Sequence, residues 1–222
     1  MNAQTLSWLA LATSVLIVVG YELRVLHRSR TRPWRTARSA NARMRTAWLE
    51  ALSGQPGTEI LAVQTLRNSL MSATIVGSTS ALALMGSISL TTPSLAHDAS
   101  QQLVHAISPA LALRLLMWAS LFASLVCSAM AMRSYNHAGY AASMPVGSPQ
   151  RARYKTYAAA HLERAGLLYS WSVRSLLFVA PVIAGLVSPL ASPLASLALV
   201  AALIAVDRMP ELAEDDPPAA AA

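Results

Sequence analysis

Apolar residues cluster along the chain in long runs rather than alternating with polar ones. The first run extends from Leu6 to about Leu26. At 1.5 Å per residue it reaches about 30 Å, enough to cross the hydrocarbon core of a bilayer. Trp8 and Tyr21 stand near its two ends, where membrane helices carry aromatic residues. A second run, 66–90, is stopped at Thr91-Thr92-Pro93. Pro109 suits the first turn of a third helix, 109–132. From Ala165 to Val206 the reading forks. One helix would be about 60 Å long, twice the bilayer core. Ser188-Pro189-Leu190-Ala191-Ser192-Pro193 interrupts it, so two helices, 166–187 and 194–206, fit better than one kinked span starting near Ser175. The predicted fold is all-α, a transmembrane bundle of four to five spans in a single domain over 1–210, with 211–222 a disordered tail.

Between the runs lie two polar, basic loops, 27–65 and 133–165. Arg24, Arg28, Arg30, Arg32, Arg35, Arg38, Arg43 and Arg45 lead into and fill the first, with Pro33 among them. Within it Thr36–Leu52 has the spacing of a short amphipathic helix, with Met44, Trp48 and Leu52 on one face. Gly54, Pro56 and Gly57 mark a turn after it. The second loop carries Arg151, Arg153 and Lys155, and places Tyr157, His161 and Arg164 on one face of a short helix. The loop after the second run has Asp98 and two histidines but no Lys or Arg. Basic residues concentrate on the cytoplasmic side of membrane proteins. Both basic loops are therefore expected inside and the N-terminus outside, in a multi-pass protein of the plasma (inner) membrane.

Composition agrees. The chain has 222 residues, 55% hydrophobic and 12% charged, with a mean hydropathy of +0.44. Soluble domains carry about 25% charged residues. The net charge of +7 would suggest nucleic acid in a soluble protein, but here it reads as membrane sidedness. The expected partners are the bilayer, anionic lipid headgroups and further copies of the chain, with no nucleic acid. The one cysteine, Cys127, cannot form an internal disulfide, and no Cys/His spacing suggests a structural metal site. With no basic stretch before the first run, that run reads as a retained helix rather than a cleaved signal.

Four stretches resemble a known family. They are Gly20-Tyr21-Glu22-Leu23; Asn41-Ala42-Arg43 followed by Trp48; the segment from Ala62 to Met71; and Tyr135-Asn136-His137 with Arg174, Pro181 and Ser188-Pro189. Together they are similar to an uncharacterised family of multispan membrane proteins of bacteria and plants, a domain of unknown function. The resemblance covers nearly the whole chain. Ser188 departs from the family's Gly-Pro pair, but leaves the same break. It implies a membrane fold and no particular activity or cofactor.

Three patterns are candidates for function. Gln64, Arg67, Asn68 and Met71 share a helix face where the second run begins. Tyr21, Glu22 and Arg24 end the first run, and Arg133, Asn136 and His137 end the third. At one depth these groups would form a polar clasp or a vestibule, with Arg67 pairing with Glu22 or bonding the Asn136 and His137 region. The plainer reading is a registry device that snorkels to the headgroups. Arg114 and Arg174 lie within apolar runs without an acidic neighbour in sequence, and could line an anion path. Small residues repeat every four positions at Ser69, Ala73, Gly77 and Ala81, and at Ala119, Ala123 and Cys127. Such stripes let helices approach closely, within a chain or between chains.

No phosphate-binding glycine loop, zinc-protease helix or nucleophile elbow is present, and no enzyme is expected. The leading expectation is a homo-oligomeric channel or transporter for a small solute, anions slightly favoured. The alternative is a membrane scaffold or regulator whose basic loops bind anionic lipid or a partner protein. A lipid-modifying enzyme ranks last.

Overall fold

A computed structural model describes residues 2–31, 37–101 and 108–207, the side chains of Ala3 and 93–101 excepted. The described residues form seven helices: α1 (Ala3–Thr31), α2 (Ala37–Ser53), α3 (Glu59–Gln101), α4 (Pro109–Ala142), α5 (Pro149–Leu177), α6 (Val179–Val187) and α7 (Ala191–Asp207). Four rods are long and apolar enough to cross a membrane: α1, α3, α4 and the continuous α5–α6 pair. The apolar α7 is shorter, at 17 residues. The break expected at 188–193 separates α6 from α7. The expected tail, 211–222, lies outside the described residues.

At mid-height serines are buried, and many large apolar side chains face outward. Ser80, Ser124, Ser128, Ser172 and Ser196 are fully buried, while Leu16, Ile75, Leu82, Met85 and Phe122 are exposed. Water would drive the opposite arrangement. In lipid, close backbone packing and hydroxyl bonds between helices hold the bundle instead. Ser80 Oγ bonds Ser124 Oγ at 2.8 Å, Ser172 Oγ donates to the Ser124 carbonyl at 2.9 Å, and Ser128 Oγ lies 2.5 Å from Ser172 Oγ. This hydroxyl layer ties α3, α4 and α5 at mid-height. Ser14 and Ser196 make a similar bond between α1 and α7, at 2.5 Å. A Cβ on Gly77 would sit 3.1 Å from the Ser128 Cβ, so the glycine sets how closely α3 approaches α4. The small-residue stripe of α3 thus packs within the chain. Ala119 and Ala123 of α4 are exposed.

These contacts run α4 antiparallel to both α3 and α5, and α7 parallel to α1. Both basic segments therefore lie at one end of the bundle. There α2 and the adjoining turns of α3, α4 and α5 form a second core around Leu49, Leu52, Leu66, Tyr135 and Leu162. Arg151 fastens that end. Its Nη1 donates to the carbonyls of Ala142 (3.0 Å) and Met144 (2.6 Å), and its Nη2 to that of Leu52 (3.4 Å). Those carbonyls lie at the C-termini of α4 and α2, where helices carry unpaired acceptors and partial negative charge.

The expected loops are largely helix, which corrects their boundaries. α4 runs ten residues beyond Met132 to Ala142, and α5 begins at Pro149. Arginine, glutamate and alanine are good helix formers, so leaving an apolar run does not end a helix. α3 likewise continues past Pro93. The Thr91 and Thr92 hydroxyls donate back to the carbonyls of Ser87 and Ile88, both at 2.7 Å, supplying extra donors near the proline.

Candidate functional site

A buried cluster of charges joins α1, α5 and α7. Arg174 Nη1 bonds Glu22 Oε1 at 2.6 Å, and Nη2 bonds Asp207 Oδ2 at 2.5 Å. The Tyr21 hydroxyl donates to the same Asp207 oxygen at 2.6 Å. The guanidinium lies 6.0 Å from the centroid of the Tyr21 ring. Arg174 is only 7% exposed, and a planar fork facing two carboxylates is the arrangement that makes such burial tolerable.

The pairing of Glu22 with Arg67 is therefore corrected: Glu22 pairs with Arg174. Arg67 is exposed, and so are Arg24, Gln64, Asn68, Arg133 and Asn136. The cause is height. Glu22 stands with Arg174, two residues from Ser172 in the hydroxyl layer, and that layer meets α3 at Ser80. Arg67 lies 13 residues from Ser80, about 20 Å along α3. The clasp candidates fall at two levels. His137 goes to the lower one, its ring 5.0 Å from that of His161, which in turn lies 4.3 Å from Tyr157. Arg114, half-buried, follows Leu113, which packs by Gly185. Eleven residues, about 16 Å, separate Gly185 from Arg174, so the two arginines do not share a local site.

Toward the basic end, α1, α2 and α5 enclose a basin of about 610 Å³. Its walls include Arg38, Arg43, Arg45 and Arg164, with Glu163 as the one acid and Ser29 on the α1 side. Ligand clefts span about 300–1,000 Å³. Arg38 lies over Trp171, 5.1 Å from the ring centroid. Its Nε and Nη2, and Nε of Arg45, are buried without a hydrogen-bond acceptor among the described residues. Such donors are costly to bury unsatisfied. Burial pulls the Arg38 guanidinium below its ordinary value, and Arg174 nearby adds to the effect, though arginine stays charged. Gly166 makes room for Arg45: a Cβ there would overlap the guanidinium. The Thr46 hydroxyl donates to Glu163 Oε1 at 2.9 Å, joining α2 to α5 across the rim. Four cations against one carboxylate repel metal ions and attract anions. Among the described residues no three His, Cys, Asp or Glu side chains gather as a metal would need.

Sequence reasoning named Tyr21, Glu22 and Arg174 but missed Asp207, Trp171 and the separate standing of Arg38 and Arg45. Asp207 had a signal: it is a lone acid ending the last apolar run. Arg38 and Arg45 were read only as members of a charged stretch.

No curated protein and no solved structure matches this chain. A family model does match, over residues 9–211 and so most of the chain, described as a protein of unknown function. With that coverage and four helices able to cross a bilayer, the chain belongs to the DUF599 family and is a multi-pass membrane protein.

Proposed function

We propose that this protein is a membrane regulator or scaffold whose basic end faces the cytoplasm and binds an anionic headgroup in the basin between α1, α2 and α5. The observation that carries the reading is the set of buried, unpartnered guanidinium nitrogens of Arg38 and Arg45 in a cavity lined by four arginines. A phosphate supplies the missing acceptors, and planar arginine suits its geometry. Clustered basic residues beside spans attract anionic lipid by about 1 kcal/mol each. The transport reading has less support. Its anion path needed Arg174 to offer free positive charge, and Glu22 and Asp207 offset that charge.

The test uses the full chain in nanodiscs of phosphatidylcholine containing phosphatidylglycerol. Native mass spectrometry after release should find phosphatidylglycerol enriched on the protein. The Arg38→Gln/Arg45→Gln double variant should lose that enrichment, while Arg67→Gln, on an exposed face, should keep it. Equal retention of the two lipids by wild-type protein would overturn the reading.

A further inference from the structure

A second cavity lies directly above the basin. It is an apolar groove of about 330 Å³ between α1, α4 and the α5–α6 junction, walled by Val15, Val19, Leu23, Leu26, Trp171 and Phe178. On α1 it runs from Ser14 to Leu26, twelve residues and so about 18 Å. Half of a hydrocarbon core of about 30 Å is about 15 Å, so the groove has the length of one leaflet. Phe178, where α5 passes into α6, and Pro181 in the next turn also line it.

The two cavities are neighbours. On α1, Leu26 lines the groove and Ser29 the basin. On α5, Trp171 lines the groove and Leu167 the basin. Each step is a single helical turn. Arg38, a basin wall, lies over Trp171, a groove wall, so one contact forms the junction. Glu22 also borders the groove, with its Oε1 paired to Arg174.

Resting on the headgroup reading above, we propose that basin and groove are one site for a single anionic phospholipid drawn from the surrounding leaflet. Its phosphate sits between Arg38 and Arg45, and one acyl chain lies along the groove past Trp171 toward Ser14. Charge complementarity selects the head and the leaflet-length apolar wall selects the tail. Neither a soluble phosphate ester nor a neutral lipid fills both.

The test is a titration of the full chain in a neutral detergent with dioleoyl phosphatidic acid, and separately with inorganic phosphate and glycerol 3-phosphate. Val19→Trp and Leu23→Trp fill the groove from exposed positions, so at least one is expected to fold. Each should weaken the lipid by about tenfold, the equivalent of losing the burial of one or two methylenes. Neither should change phosphate binding. Arg38→Gln/Arg45→Gln should abolish both. If both tryptophan variants bind the lipid as wild type does, or glycerol 3-phosphate binds as tightly as the lipid, the groove proposal fails while the headgroup reading stands. If the double arginine variant binds as wild type does, both fail.

Discussion

Arg174 holds two carboxylates at membrane depth. Removing it strands two carboxylates, and breaking a buried pair from one side costs about 3–5 kcal/mol. Arg174→Gln should therefore lower the unfolding free energy in detergent by about that amount. Glu22→Gln should cost less, because the Asp207 bond survives. Tyr21→Phe should cost about 1 kcal/mol, the worth of one hydrogen bond. An Arg174→Gln variant as stable as Arg67→Gln would show that the cluster holds nothing together. At the basic end, Arg151→Lys keeps the charge but cannot reach three carbonyls at once. Faster amide exchange over 143–150 and in the last turn of α2 should follow, and unchanged exchange would contradict the fastening role.

Among the elements, the close approach of α3 to α4 depends on Gly77 and the hydroxyl layer beside it. Gly77→Leu should force the helices apart and cost about 1–3 kcal/mol, as overpacking does, whereas Gly77→Ala displaces the Ser128 side chain by only tenths of an ångström. Thermal unfolding of the two variants in detergent checks this, and equal midpoints would contradict it. The existence of these elements was legible in the sequence because an apolar run of bilayer length, with almost no charge in it, has no stable place in water. Even the C-terminal end of α2 was placed within a residue, since Trp48 and Leu52 keep helical spacing. Helix ends were not legible: hydropathy marks where lipid stops, and α4 and α5 continue beyond it on arginine and alanine. The site was half legible. Tyr21, Glu22 and Arg174 declare themselves as polar groups in apolar surroundings. Their partners depend on relative height and rotation, which no local pattern encodes, and so Glu22 was assigned to Arg67 and Asp207 was overlooked.

At the scale of the whole molecule, charge and packing together give a bundle with one basic end. If that end faces the cytoplasm, tags near Ser39 and Gly147 will be inaccessible to a membrane-impermeant reagent in intact cells, and one near Ala99 will react. Ser39 and Ala99 on the same side would refute the arrangement. That basic end is proposed to hold an anionic headgroup in the basin between α1, α2 and α5. Solid-state NMR in phosphatidylglycerol-containing bilayers tests it most directly, through dephasing of guanidinium nitrogen-15 signals by lipid phosphorus-31. A strongly dephased arginine signal is expected in wild-type protein and should disappear in Arg38→Gln/Arg45→Gln. Identical dephasing in the two proteins would mean that the lipid contacts are those of surface arginines and that the basin binds no headgroup.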